Sequence, residues 1–232
     1  MDPDTRALYV EVAEPDMHEP TGDFERLVKA LQDQWGVGEV AAELPILRRL
    51  QPALRKGDWK VTVALHKGNH DARHRILDIW PGFHEGALYG LAIDLGSTTI
   101  AAHLCDLRDG AVLASSGVMN PQIRFGEDLM SRVSYAMMNP GGDVEMTAAV
   151  RTALNGLVQS ISTEAKIDPA SIYELVFVCN PVMHHLLLGI DPVELGQAPF
   201  ALATSGSLVL DAQDLDIKAV NSAARVYILP CI

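Results

Sequence analysis

The sequence of 232 residues is poor in cysteine, and this shortage excludes whole classes of protein. The three cysteines are Cys105, Cys179 and Cys231, which lie far apart, each in an apolar run. None forms a CxxC motif or a Cys/His pair with metal-ligand spacing. Three scattered cysteines predict buried structural thiols in a reducing compartment, and they make neither a disulfide framework nor a set of cluster ligands.

Basic residues and long apolar runs are also scarce. Lys and Arg total 18 against 30 Asp and Glu, which gives a formal net charge of −12. Phosphate contacts of a nucleic acid need clustered cations, so a nucleic-acid partner is not expected. No segment has the ~18 unbroken apolar residues of a membrane helix, and residues 1–4 lack the layout of a signal peptide. We therefore expect a cytoplasmic protein without a membrane partner.

The first of two predicted domains covers residues 1–86 and is a small α+β unit. Apolar residues alternate over residues 8–12, as in a half-buried strand. A helical spacing of apolar residues ends at Trp35, and Gly36 stands where a C-terminal cap is expected. A second short helix is predicted over residues 44–54, followed by a hairpin of strands at residues 59–65 and 75–80.

Three histidines of this domain, His66, His70 and His74, are spaced by four residues. This spacing would suit metal ligands on a helix, but Gly68 and Asn69 break any helix there. Exposed histidines of a hairpin loop are therefore favoured over a metal site.

The second predicted domain covers residues 87–232 and has the pattern of an α/β fold. Five strands are predicted, at residues 89–93, 99–105, 111–118, 173–179 and 225–229. The first three are joined by short turns, and helices separate the others. This order predicts a mixed five-stranded sheet of the ribonuclease H-like half-domain, the unit that actin-like ATPases repeat twice. Residues 190–222 are left unassigned.

The turn between the first two of these strands is a candidate phosphate loop. Gly96 allows the backbone to approach a ligand and accepts a positive φ. Ser97, Thr98 and Thr99 offer amides and hydroxyls to phosphate oxygens. Asp94 ends a buried strand and can hold Mg²⁺, directly or through a water molecule. Neither GxxxxGK[ST] nor GxGxxG occurs in the sequence, and the alternative is an ordinary hairpin turn.

Asn180 is the second candidate site residue. It follows the fourth predicted strand, which in this architecture lies beside the first, so its side-chain amide would face the phosphate loop. It could orient water or the terminal phosphate, or cap a helix that begins with Pro181. His184 and His185, one turn further on, are expected to pack rather than react. Glu127 and Asp128 could reach a metal, although a charged helix start is favoured for them.

These motifs together resemble a known family. The stretch Leu91–Thr99 is similar to the first phosphate motif of the superfamily of acetate and sugar kinases, Hsp70 and actin. Asn120-Pro121-Gln122, Gly126-Glu127-Asp128 and the stretch Cys179–Gly189 resemble the reductive activators of corrinoid proteins. Residues 1–86 resemble that family's middle, or linker, domain, so the resemblance covers essentially the whole chain.

The resemblance implies a function and a set of partners. Such activators couple ATP hydrolysis to the reduction of an inactive Co(II) corrinoid protein to Co(I), and the family suggests a dimer. Asp94 and Asn180 would be catalytic, Gly96, Ser97, Thr98 and Thr99 would bind ATP, and Asp94 would hold Mg²⁺. The electron would come from a 2Fe–2S cluster in a domain outside this chain. The expected first lobe stops before the family's second phosphate motif, second lobe and adenosine motif.

Two other functions remain compatible with the residues alone. The phosphate loop permits a small-molecule kinase, in which phosphoryl transfer relies on positioning and Mg²⁺. It also permits a nucleotide-responsive binding module without turnover.

Overall fold

The computed structural model describes residues 3–18, 20–67 and 73–231, which form two compact units. The first unit comprises Met1–Leu88 and Leu107–Gly110, and the second comprises Tyr89–Asp106 and Ala111–Ile232. Each unit has its own cluster of buried apolar side chains.

The first unit is a four-stranded sheet with two helices. Its elements are β1 (Thr5–Glu11), α1 (Asp23–Trp35), β2 (Val40–Ala42), α2 (Leu44–Lys56), β3 (Lys60–Lys67) and β4 (His74–Pro81). The strand order is β1-β3-β4-β2, with β2 parallel to β4 and the other pairs antiparallel. Gly36 ends α1 at φ 64° and donates its amide to Gln32 O, so the predicted cap is confirmed.

Two features of this unit bear on the sequence predictions. Strand β2 was missed, because three residues are too short to show an alternating pattern. His66 lies in β3, where Nδ1 is 2.8 Å from Thr5 Oγ1, and His74 begins β4. The interpretation of His70 as a loop histidine, and the helix break at Gly68 and Asn69, lie outside the described residues.

The second unit is built on one mixed sheet. Its strands are β5 (Tyr89–Leu95), β6 (Thr99–Asp106), β7 (Val112–Met119), β8 (Ile172–Cys179), β9 (Leu208–Asp211) and β10 (Arg225–Ile228). Its helices are α3 (Leu129–Met138), α4 (Gly142–Ala165) and α5 (Pro181–Leu188), and a 3₁₀ helix at Pro121–Phe125 precedes α3.

The strand order in this sheet is β7-β6-β5-β8-β10-β9. Strands β5, β6 and β7 are an antiparallel meander, and β8 pairs in parallel with both β5 and β10. The sheet is the mixed α/β sheet of a ribonuclease H-like, actin-like half-domain, as predicted. The predicted number of five strands was wrong, because β9, inside the unassigned stretch 190–222, pairs antiparallel with β10 as a sixth.

One face of this sheet carries the core of the second unit. Alternate residues of β5 and β6 are buried against the long helix α4, whose apolar stripe includes Val150, Leu154 and Ile161. On the other face Asp94 and His103 are exposed. The alternation leaves the Asp94 carboxylate on the face opposite the packed helices.

None of the helices in the described ranges is long and apolar enough to cross a membrane.

Candidate phosphate-binding site

The candidate phosphate loop is the tight connection between β5 and β6. Leu95 ends one strand and Thr99 begins the other, and the Gly96 amide donates to Thr99 O at 3.0 Å. A Cβ atom on Gly96 would lie 2.6 Å from Thr99 O, so no larger residue fits without moving the backbone. Gly96 does not adopt the positive φ that glycine accepts, since it is not among the glycines with left-handed geometry. Close approach of the two strands is what requires this glycine.

The register of the sheet brings Asn180 to this loop. Strands β5 and β8 run parallel, and Leu95 pairs with Cys179. Gly96 and Asn180 therefore leave the same edge of the sheet from neighbouring strands, which confirms the predicted adjacency of the two strands. Asn180 Oδ1 accepts the Met183 amide at 3.0 Å, which caps α5. The side chain is half-buried, and within the described chain its Nδ2 has no protein acceptor.

Asn120, which follows β7, bonds two carbonyl groups of the loop, on the side we call its back. Its backbone amide donates to Thr98 O and its side-chain Nδ2 donates to Gly96 O, both at 2.8 Å. Its Oδ1 accepts the Gln122 amide at 2.9 Å, and the residue is fully buried. Because the backbone amide, the Nδ2 and the Oδ1 of this buried residue are all hydrogen-bonded, Asn120 holds the turn in one conformation.

Arg132, on α3, holds the remaining carbonyl of the loop. Its Nη2 donates to Ser97 O, and its Nε donates to Gly126 O at 2.9 Å. Its Nη1 lies 3.3 Å from the sulfur of Met183, the residue whose amide Asn180 accepts. The side chain is fully buried, and burial lowers the pKa of its guanidinium while the charge of Asp128 raises it.

The other side of the loop, which we call its front, presents hydrogen-bond donors and one carboxylate. In the part of the chain that the structure describes, the amides of Ser97 and Thr98 have no protein acceptor. Ser97 is half-buried, and Thr98, Thr99 and Asp94 are exposed. Unpaired successive amides suit phosphate oxygens, and an exposed carboxylate suits Mg²⁺. The residues present therefore fit a magnesium–nucleotide, although the roles predicted for them remain predictions.

Asp128, another polar candidate of the sequence, has a structural partner in Ser131. Asp128 begins α3 with a reciprocal capping box, in which Ser131 N donates to Asp128 Oδ1 at 2.7 Å and Ser131 Oγ accepts the Asp128 amide. These hydrogen bonds hold the pKa of the Asp128 carboxyl below its usual value. The favoured interpretation of a charged helix start agrees with this cap.

The two histidines of α5 are buried. His185 Nε2 accepts the Ala203 amide at 3.1 Å, so its Nδ1 carries the proton that is shared with Pro181 O at 2.8 Å. Among the described residues, neither buried ring nitrogen of His184 has a hydrogen-bond partner. Burial, and then the neighbouring His185, lowers the pKa of His184, which keeps it neutral.

The cysteines are free thiols. Burial, followed by the nearby Cys231 and Asp94, raises the pKa of Cys179 to about 12, so this thiol stays protonated at neutral pH. Across the described residues, no group of three or more His, Cys, Asp or Glu side chains is placed to hold a metal ion.

Sequence reasoning named the residues whose amides and carboxylate are free at the candidate loop, and it missed the residues that bond the loop's carbonyl groups. Asn120 was noted only as part of a family motif, and Arg132 was not singled out. The signal for Arg132 was its position next to the buried Val133, among the apolar residues of α3, where a charged side chain needs a specific partner.

The sheet defines an actin-like, ribonuclease H-like half-domain as the class of fold. The family described as the RACo middle region matches residues 89–232, and the family described as the RACo linker region matches residues 1–86. The chain therefore belongs to the family that contains these RACo regions.

Two relatives agree with this assignment. The chain is 31% identical over 160 residues to the corrinoid activation enzyme RamQ of Eubacterium limosum, an alignment covering 68% of this chain and 27% of RamQ. The solved structure named reductive activator for corrinoid, iron–sulfur protein matches with a TM-score of 0.90 and 31% identity. That match covers 99% of this chain and 36% of the other. The chain thus spans about a third of the length of these relatives.

Proposed function

We propose that this chain is the linker and first ATPase lobe of an activator that uses ATP hydrolysis to return inactive Co(II) corrinoid proteins to Co(I). Membership of the RACo family carries the proposal, because the two relatives are named for corrinoid activation. The other functions compatible with the phosphate loop, a small-molecule kinase and a binding module, have no such support. We place this activator in the cytoplasm, as a homodimer that acts on a corrinoid protein.

The phosphate loop has a defined part in this proposal. The amides of Ser97 and Thr98 donate to phosphate oxygens, and the hydroxyls of Ser97, Thr98 and Thr99 add further donors. Asp94 holds the magnesium ion, directly or through a water molecule, and that ion offsets the negative charge of the phosphates. The free Nδ2 of Asn180 orients the attacked phosphate or the attacking water while its Oδ1 keeps α5 capped.

The electron comes from outside this chain. A 2Fe–2S cluster held by a separate domain would supply the one electron that converts Co(II) to Co(I), and the hydrolysis of ATP to ADP and phosphate would accompany that transfer. Hydrolysis can favour this uphill reduction only if nucleotide states differ in their affinity for the corrinoid partner. A second lobe outside this chain would close on the nucleotide and make that difference.

The test is the formation of Co(I) by the protein expressed from its whole reading frame. The protein is reduced without oxygen, mixed with a Co(II) corrinoid protein, and followed by the absorbance of Co(I) with and without ATP. We expect the visible absorption of an iron–sulfur cluster and Co(I) formation that depends on ATP. A protein that forms no Co(I), or that forms it equally well without ATP, would contradict the proposal.

A further inference from the structure

The back of the phosphate loop is organised differently from an ordinary hairpin turn. Three successive carbonyl oxygens, those of Gly96, Ser97 and Thr98, are all bonded by two buried residues, Asn120 and Arg132. Both residues come from the segment after β7 and not from the strands that the loop joins. An ordinary hairpin turn needs no such support, because its strands fix it.

The planarity of the peptide bond links this support to the front of the loop. In a trans peptide the C=O of one residue and the N–H of the next point in opposite directions. Holding Gly96 O on Asn120 therefore turns the Ser97 amide to the opposite side. Holding Ser97 O on Arg132 turns the Thr98 amide in the same way. These two amides are the ones without a protein acceptor.

Arg132 adds a charge to this geometry. It is fully buried, and among the described residues no carboxylate lies within salt-bridge distance of it. Its partners are the carbonyls of Ser97 and Gly126, the side-chain oxygen of Gln122 and the sulfur of Met183. The charge of Asp128 acts on Arg132 only from beyond salt-bridge distance. A buried cation without a directly paired counter-charge is costly, and an anion bound in front of the loop reduces that cost.

The cation also acts through the peptide that it contacts. A charged donor on Ser97 O polarises the peptide group, which makes the Thr98 N–H a stronger donor to an anion.

We infer that Arg132 is the positioning residue of this site, which orients the Thr98 amide and, with its buried charge, makes the loop favour the more highly charged polyphosphate. Asn120 fixes the neighbouring Ser97 amide without adding charge. The inference deepens the proposed function and rests on nucleotide binding at this loop. It requires no contact between Arg132 and the nucleotide, since the guanidinium lies behind the backbone.

Two substitutions in the protein expressed from its whole reading frame separate the charge from the geometry. Arg132→Lys keeps the positive charge but cannot reach Ser97 O and Gly126 O together, because an ammonium group has no fork. Arg132→Gln removes the charge and keeps one short donor. Arg124→Gln is the matched control, because Arg124 lies in the same segment, is exposed and packs over the Phe125 ring.

The measurement is the dissociation constant for Mg-ATP and for Mg-ADP by calorimetry. We expect Arg132→Gln to weaken ATP binding at least tenfold and ADP binding less, so the preference for ATP falls. We expect Arg132→Lys to bind both more weakly than the wild type and to keep the preference. Equal weakening of ATP and ADP by Arg132→Gln, as from a loosened fold, or unchanged affinity, would overturn the inference.

A measurement on the wild type covers the case in which a variant does not fold. The Thr98 amide has no protein acceptor, so it should exchange its hydrogen quickly in the free protein and become protected when Mg-ATP is added. An amide that stays unprotected while ATP is bound elsewhere would overturn the inference and leave the proposed function standing. A wild-type protein that binds no ATP at all would overturn both.

Discussion

Gly96 shows how a single residue sets the shape of the site. Its amide bonds to Thr99 O, and an added Cβ would lie 2.6 Å from the same oxygen. Backbone atoms cannot move aside as a flexible side chain can, so a substitution must open the turn. The sequence predicted a glycine requirement here, but it could not distinguish a positive φ from a close backbone contact, because both favour glycine.

Gly96→Ala should therefore weaken nucleotide binding and reduce stability. We expect at least a tenfold loss of ATP affinity and a fall of about 1–3 kcal/mol in the free energy of unfolding, as for other overpacked sites. Gly156→Ala is the control, because Gly156 is exposed on α4 with no atom near its missing Cβ. That change should stabilise the helix by about 1 kcal/mol. Wild-type affinity in Gly96→Ala would show that the close contact is not needed.

His184 offers a second test at the level of one side chain. Its folded-state pKa lies below its ordinary value of 6.5, mainly because of burial. The unfolded chain therefore binds a proton more readily than the folded one, and stability falls as the pH drops below about 6.5. We expect His184→Leu to lose less unfolding free energy between pH 7.5 and 5 than the wild type. Urea titrations at each pH measure the free energy of unfolding, and the exposed His103→Leu is the control. The same pH dependence in the wild type and in His184→Leu would show that burial of His184 does not cause it.

Single residues also show what sequence reasoning could and could not reach. The polar residues at the front of the loop were predicted, because a run such as Gly96-Ser97-Thr98 after an apolar strand is a local signal. Asn120 and Arg132 were not predicted as site residues, because they meet the loop only after β7 and α3 have packed. Tertiary contacts decide which side chain of a helix reaches a distant turn. The local sequence does not contain that information.

Among the elements, the longer strands and helices were the predictable ones. Helix α4 and strand β8 have clear apolar patterns, and the structure has both. Strands β2 and β9 were missed, with three and four residues respectively. Such short strands exist because a neighbouring strand offers hydrogen bonds, as β10 does for β9, and not because of their own pattern.

Two side chains of helix α4 hold the segment after β9: Arg151, which pairs with the Asp216 carboxylate at 2.9 Å, and Asn155. Asn155 donates to Asp216 O at 2.9 Å and accepts the amides of Lys218 and Ala219 at 2.9 and 3.0 Å. A single amide therefore bonds three backbone groups of a segment that has little regular structure. This contact explains how part of the stretch that the sequence left unassigned is ordered.

Asn155→Ala should loosen this segment. We expect the free energy of unfolding to fall by about 1–2 kcal/mol, because three backbone groups, of which only that of Ala219 is half-buried, lose their partner. Hydrogen exchange should rise at residues 216–219. Asn139→Ala is the control, since its exposed side chain makes one bond within its own helix end and should cost less than about 0.5 kcal/mol. Unchanged exchange at residues 216–219 would contradict the assignment.

At the scale of the whole molecule, the order of strands determines where the candidate site lies. A meander of β5, β6 and β7 followed by parallel β8 places two strand ends side by side, and the phosphate loop and Asn180 both begin there. Ligands of open α/β sheets bind beyond such strand ends. The fold class and this adjacency could be predicted, because the order of elements along the chain is visible in the sequence. The two corrinoid activators that the chain resembles are about three times as long as the part they share with it.

The most direct test of the account is the affinity of the protein expressed from its whole reading frame for ATP, with and without Mg²⁺. Calorimetry would compare the wild type with Asp94→Asn and with Asp33→Asn, a control in which an exposed carboxylate on α1 is removed. We predict binding that needs Mg²⁺ in the wild type and in Asp33→Asn, and at least a tenfold loss of affinity in Asp94→Asn. Mg-ATP binding by Asp94→Asn with wild-type affinity would contradict the assignment of this loop as the nucleotide site.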